Sequence, residues 1–125
     1  MAGAMHSAAA LAMILAHHGA WIPLEQLRVA CGVSRDGSKA SNIVRAARTF
    51  GFDAKGFRKE PSTLHELPMP CIIHWNFNHF VVLEGIDGGD VYINDPAIGR
   101  RRTDMVELDL AFTGVVLAME PTAAF

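Results

Sequence analysis

The sequence has little of what marks membrane, nucleic-acid-binding or disulfide-linked proteins. No apolar run among its 125 residues reaches the roughly 18 residues that a membrane span needs. Lysine and arginine total 11 against 13 aspartates and glutamates, so the cationic surplus that nucleic acid requires is missing and we expect no nucleic-acid partner. The two cysteines, Cys31 and Cys71, stand in apolar stretches without a metal-type partner, which suits a reducing compartment and a structural role.

The N-terminal residues 1–7 carry little information. No positive charge precedes the apolar run 8–16 and no cleavage-type loop follows it, which argues against a signal peptide. Ser7 stands before this alanine-rich run as an N-cap, which predicts a buried helix from residue 8 to about His18 that stops at Gly19. We therefore divide the chain into a low-information segment, residues 1–7, and a single domain, residues 8–125.

The periodicity of the apolar residues changes along the chain. The helical period predicts helices at 24–30 and 40–50, separated by a polar loop at 34–38. From residue 52 onward an alternating pattern predicts strands at 52–58 (an edge strand), 71–75, 79–83, 91–96, 101–104 and 113–119, with helical turns at 61–67 and 106–111. Helices followed by antiparallel strands predict an α+β domain in which the first helix lies against the sheet.

One stretch combines a polar turn with a histidine at the first position of an apolar strand. His79 follows the turn, and Asp95 ends the next strand along the chain. If these strands pair as a hairpin across the glycines at 88–89, Asp95 comes up beside His79. An imidazole held by a carboxylate is the base half of a nucleophilic active site. Each residue also has a structural explanation, since His79 could bond to the turn and Asp95 could cap the turn that follows it.

Alternation makes this hypothesis testable in the sheet. His79, Val81 and Leu83 should lie on one side, with Phe80 and Val82 on the other. Asp95 must then share the side of His79, with its carboxylate within reach of the imidazole.

Several separate blocks of the chain carry a family pattern. These blocks are the runs 9–19, 24–38 and 43–57, then Pro70, His74-Trp75, His79-Phe80-Val81-Val82-Leu83-Glu84-Gly85 and Asp95-Pro96-Ala97-Ile98-Gly99. Over about residues 8–119 the chain resembles the double-glycine leader peptidases, which are the papain-like cysteine peptidase domains at the N-terminus of ABC transporters that export bacteriocins and lanthipeptides.

The resemblance implies a papain-like fold and cleavage of a peptide bond just after a Gly-Gly type leader. It implies two partners, the leader peptide of a ribosomally made precursor and the membrane and nucleotide-binding domains of a transporter. It also implies a location on the cytoplasmic side of a membrane, and no cofactor.

By the same resemblance His79 is the general base and Asp95 orients it. The family's nucleophilic cysteine stands at the start of the first helix, and the matching position here is His6, followed by Ser7 where the family usually has glycine. The oxyanion glutamine of the family would lie upstream, where this chain already begins at Met1. Ser7 fits a helix cap better than a nucleophile, and an imidazole is a poor group for cleaving amides. We therefore expect no cleavage by this chain as written.

Two explanations for the missing thiol stay open. Residues 1–7 could be a vector-derived leader that replaces a native segment, in which case the natural protein is a peptidase. Alternatively the protein has lost its cysteine and keeps the fold as a leader-peptide-binding domain. A metal site is the third hypothesis, because the chain has six histidines. His17 and His18 point about 100° apart on a helix and no further ligand completes a set, so we expect no metal.

Overall fold

The computed structural model of this protein describes residues 2–32 and 39–125, so the loop predicted at 34–38 lies outside the described residues. The elements, in chain order, are α1 (Ala2–His17), α2 (Leu24–Cys31), α3 (Lys39–Thr49), β1 (Phe52–Arg58), a 3₁₀ helix (Pro61–Glu66), β2 (Cys71–Trp75), β3 (His79–Asp87), β4 (Asp90–Asp95), β5 (Gly99–Asp104), α4 (Met105–Ala111) and β6 (Phe112–Pro121). After α1, every predicted helix and strand is present, with ends shifted by a few residues at most. Of the helices described, none combines the length and the apolar character that crossing a bilayer requires.

The prediction for the start of α1 is wrong. The helix begins at Ala2, and Ser7 lies inside it with 2% of its surface exposed, so Ser7 is not an N-cap. The residues ahead of Ser7 are mainly alanine and methionine, which favour helix strongly enough to extend it past the serine. The predicted end of the helix is confirmed within one residue. The chain leaves α1 through Gly19, whose φ of 93° suits glycine.

The burial of α1 is one-sided, whereas the sequence predicted burial on nearly every side. Leu11, Ile14 and Leu15 are fully buried, while Met13 and Ala16 keep part of their surface exposed. The helix lies against one face of the sheet, so the predicted packing of the first helix on the sheet is confirmed.

Six antiparallel strands form one sheet in the order β1-β6-β2-β3-β4-β5. Strand β1 is an edge strand, as predicted. Strands β3 and β4 form the predicted hairpin, with Asp87 opposite Asp90 across the two glycines. This hairpin brings the end of β4 alongside the start of β3, which positions Asp95 near His79.

The two faces of the sheet bury two separate cores. The helix-side core, which contains α1, α2 and α3, takes Phe80 and Val82 from β3. The far-side core, which contains α4 and the 3₁₀ helix, takes Val81 and Leu83 from the same strand. The predicted alternation along β3 is therefore confirmed.

Candidate active site

The turn before β3 decides where His79 sits. It runs from Trp75 to Asn78 and is closed by the Asn78 N–H, which donates to the Trp75 carbonyl at 3.3 Å. Its two central residues, Asn76 and Phe77, have φ values of 53° and 60°. Two successive left-handed residues are the pattern of a type I′ turn, whose twist matches that of paired strands. Strand β3 begins directly after it, so His79 lies at the rim of the sheet.

His79 and Asp95 face each other, as the alternation predicted. The imidazole Nε2 lies 3.5 Å from Asp95 Oδ2, with 18% and 8% of the two side chains exposed. The other carboxylate oxygen, Oδ1, accepts a hydrogen bond of 2.8 Å from the Ala97 N–H. Asp95 therefore caps the following turn and faces the imidazole at the same time, so the two contacts are compatible, and its role in orienting a catalytic base stays a prediction.

The second ring nitrogen of His79 is also held. Nδ1 lies 2.7 Å from Oδ1 of Asn78, the last residue of the turn. Because the amide Oδ1 of Asn78 only accepts, Nδ1 carries the proton in this contact. A neutral ring with its proton on Nε2, facing Asp95, has Nδ1 as its basic nitrogen, and it requires the Asn78 amide to turn so that its N–H₂ group donates to Nδ1. This arrangement orients the imidazole as a general base requires.

His74 is a further site residue, which sequence reasoning considered only as a metal ligand. Its Nδ1 lies 2.9 Å from the Thr113 hydroxyl, on the neighbouring strand β6. Burial lowers the pKa of His74, and the nearby His79 and Lys39 lower it further. A neutral His74 therefore lies beside the candidate base. Strand alternation was the available signal, because His74 pairs with Phe80 on the helix side of the sheet.

A cavity of about 430 Å³ opens next to the turn, between the start of α3 and the sheet. Its lining is mostly apolar and consists of Lys39, Ala40, His74, Phe77, Asn78, Phe80 and Val115. Since Asn78 contacts both the cavity and His79, the cavity adjoins the candidate base. A second groove, of about 510 Å³, shares Ala40 and Val115 with it and continues along α3 and β1. The two cavities together form a cleft that runs from the turn before His79 along α3.

Neither cysteine can supply a thiolate. Both are free thiols in the cores, with Cys31 5% and Cys71 0% exposed. Burial raises the pKa of Cys31 to about 11 and that of Cys71 to about 12. A thiol at such a pKa is protonated and unreactive at neutral pH.

Position 6 lies inside α1 and not at its start, where the resemblance placed the family's nucleophile. The helix begins upstream because alanine and methionine extend it. The correspondence of His6 with the nucleophile position rests on sequence and stays a prediction. Within the described ranges, no three His, Cys, Asp or Glu side chains are grouped as metal ligands would be.

The profile of the family described as "Peptidase C39 family" matches residues 6–124. The chain belongs to the Peptidase C39 family. Among solved structures, this C39 domain is 55% identical, with a TM-score of 0.88, to a double glycine motif protease from an AMS/PCAT transporter in complex with the leader peptide. That match covers 96% of this chain and 86% of the other. The peptidase domain of Streptococcus ComA, a bi-functional ABC transporter, is 25% identical with a TM-score of 0.83, over 94% of this chain and 91% of the other.

Curated relatives of the C39 domain are much longer proteins. It is 38% identical to the probable microcin-H47 secretion/processing ATP-binding protein MchF of Escherichia coli, over 94% of this chain and 17% of the relative. It is 35% identical to the lactococcin-G-processing and transport ATP-binding protein LagD of Lactococcus lactis subsp. lactis, over 94% of this chain and 18% of the relative. The chain therefore spans less than a fifth of the length of these relatives. The structural matches confirm the predicted papain-like α+β fold.

Proposed function

We propose that this C39 domain takes part in leader-peptide processing in a bacteriocin or lanthipeptide export system, and that it binds the leader without cutting it. The observation that carries the proposal is the pair formed by His79 and Asp95 at the edge of an apolar cleft. The solved structure of a 55% identical protease holds a leader peptide, which supports the same class of ligand here.

In the proposed site His79 is the general base and Asp95 orients its ring. The role of Asp95 is supported by its second hydrogen bond, from the Ala97 N–H, which fixes the carboxylate relative to the imidazole. Position 6 carries an imidazole where the family has a thiol, and the two cysteines of the chain are buried and protonated. Ser7 cannot substitute, because it is buried within α1. With a base but no attacking thiol, the domain holds the leader intact.

The second candidate function is that of a cysteine endopeptidase cutting after a Gly-Gly type motif. It applies if residues 1–7 replace a native segment that carries the cysteine and the oxyanion glutamine. The high identity to a double glycine motif protease favours this candidate. In either case the natural partners are the leader peptide and the membrane and nucleotide-binding domains of a transporter, with this domain on the cytoplasmic side of the membrane. The relatives are named as secretion or transport ATP-binding proteins, which supports those partners.

A restoration experiment separates the two candidates from an unrelated role. The variant carries His6→Cys and Ser7→Gly, with a short N-terminal extension that supplies the upstream glutamine. Both this variant and the unchanged chain are incubated with a synthetic double-glycine precursor, and the products are measured by mass spectrometry. We expect the restored variant to cut after Gly-Gly and the unchanged chain to leave the peptide intact.

The matched control adds His79→Ala to the restored variant, which should abolish cutting because no base remains to activate the thiol. If the fully restored variant does not cut, the assignment to leader processing loses its main support. If the unchanged chain cuts, the binding-only proposal is wrong.

A further inference from the structure

The turn that precedes His79 contains an unfavourable residue. Phe77 has a φ of 60°, in the left-handed region that bulky side chains rarely adopt. Glycine is the preferred second central residue of a type I′ turn, and Asn76 is already the preferred first one. A phenylalanine at this position stores strain that glycine would not.

Packing does not explain the choice of phenylalanine. The Phe77 side chain is among the most exposed large apolar groups of the described residues, at 81%. A buried aromatic ring can offset strain by the apolar surface it removes from water, but an exposed ring gains little of this. Strained and exposed apolar residues together indicate a surface that becomes covered when a ligand binds.

The position of the ring indicates which ligand covers it. Phe77 lines the cavity beside Asn78, and its ring meets the ring of His74 edge-on, with centroids 6.3 Å apart. His74 in turn lies against Phe80, with centroids 4.8 Å apart. The Thr113 hydroxyl fixes the orientation of His74. One side of the cavity is thus a row of three rings that ends at the exposed one.

The rest of the lining includes two aliphatic residues. Ala40 at the start of α3 and Val115 on β6 complete the lining, and Lys39 is its one charged residue among those described. A lining that is mostly apolar favours an apolar side chain, because a polar one would lose hydrogen bonds to water that the few polar groups there replace only in part. Since the cavity adjoins His79 through Asn78, that side chain belongs to a peptide segment close to the bond that faces the imidazole.

We propose that Phe77 is a specificity-determining residue, whose ring closes this cavity over an aliphatic side chain of the bound leader peptide near His79. The inference rests on the proposed leader-binding function and adds to it the residue that selects the apolar side chain. On this proposal, phenylalanine is retained at the strained position because its ring contacts the ligand, although it does not stabilise the turn.

The test uses Phe77→Gly in the full chain. Glycine relaxes the turn, so we expect the melting temperature to rise by a few degrees. The affinity for a synthetic double-glycine leader should fall by about tenfold or more, the loss expected when one apolar side chain is no longer covered. A purely structural role of Phe77 requires the opposite result, with unchanged affinity and a lower or unchanged melting temperature.

A second arm identifies the partner side chain. Each aliphatic residue of the synthetic leader is replaced by alanine in turn, and every peptide is titrated against the unchanged chain and against Phe77→Gly. We expect one leader position whose replacement weakens binding to the unchanged chain but has little further effect on the variant, because the two changes remove the same contact. Leu110→Ala is the matched control, since Leu110 is 79% exposed on α4 outside the cleft. Leu110→Ala should leave the affinity for every leader peptide unchanged.

The outcomes distinguish this inference from the function on which it rests. If the unchanged chain binds the leader and Phe77→Gly binds it equally well, the assignment of Phe77 is wrong while leader binding stands. If the unchanged chain shows no saturable binding, the proposed function fails and the inference fails with it.

Discussion

At the scale of single residues, Asp95 makes two contacts that define the candidate site. Its two carboxylate oxygens have separate tasks, one accepting from the Ala97 N–H and one facing His79. The sequence predicted each task as an alternative to the other. They are compatible because a carboxylate has two acceptor oxygens, and the turn holds the carboxylate in the direction that the imidazole needs.

The protonation of His74 should lower the free energy of unfolding at acidic pH. Burial, together with His79 and Lys39, lowers the pKa of His74 below its usual 6.5. The unfolded chain therefore binds this proton at a higher pH than the folded chain does. The free energy of unfolding is unaffected well above pH 6.5 and falls as the pH drops from 6.5 toward the folded pKa. His18, whose pKa is lowered by burial and by His17, contributes a fall of the same sign.

We expect His74→Gln to make this fall shallower, because glutamine cannot gain the proton and can still bond to the Thr113 hydroxyl. Urea unfolding at about pH 8 and about pH 5 measures the fall for the unchanged chain and the variant. His65→Gln, at an exposed position of the 3₁₀ helix, is the control and should leave the fall unchanged. An equal fall for His74→Gln and the unchanged chain would contradict the lowered pKa of His74.

At the scale of elements, a network of hydrogen bonds centred on Glu107 holds α4 against β5. Asp104, at the N-cap of α4, accepts a hydrogen bond of 2.9 Å from the Glu107 N–H. The Glu107 carboxylate accepts two bonds of 2.8 Å from Arg101 and a further bond from the Thr103 hydroxyl. These hydrogen bonds lower the pKa of Glu107 to about 2. The network holds a short helix of seven residues on the far side of the sheet.

The network predicts acid sensitivity in a defined range. The stabilisation from Glu107 is complete above its usual pKa of 4.5 and is lost as the pH falls from 4.5 toward about 2. We expect Glu107→Gln to lower the urea midpoint at neutral pH, and the difference from the unchanged chain to shrink steadily below pH 4.5. Asp109→Asn, exposed on the same helix, is the control and should show no such convergence. A pH-independent difference for Glu107→Gln would show that the charge of Glu107 is unimportant.

The elements also show what the sequence could predict. Strands and hairpins followed from alternation and from the glycine pair, because both are local signals. The start of α1 did not, since the N-cap signal at Ser7 competed with strong helix formers upstream. The contact between His74 and Thr113 could not be predicted from the sequence either. Strand β6 is inserted between β1 and β2, and it brings together residues 39 positions apart. Such a pairing depends on the order of strands in the sheet, which local patterns do not specify.

At the scale of the whole molecule, one sheet separates two cores and the candidate site lies at its rim. The far side of the sheet supplies His79 and Asp95, and the helix side supplies the cavity with His74 and Phe80. The turn from Trp75 to Asn78 joins the two sides, because it precedes His79 and also lines the cavity. Family membership and the structural match show that the fold around this rim is that of the C39 peptidases. If position 6 corresponds to the nucleophile, as the resemblance predicts, its imidazole sets this chain apart from the active members of the family.

The most direct test is a calorimetric titration of the unchanged chain with an uncleaved synthetic double-glycine leader that extends a few residues past Gly-Gly. Mass spectrometry of the peptide follows the titration. If the domain binds leaders without a nucleophile, the titration shows saturable binding with one peptide per chain and the peptide is recovered intact. The absence of saturable binding at millimolar peptide, or recovery of a peptide cut after Gly-Gly, would contradict this function.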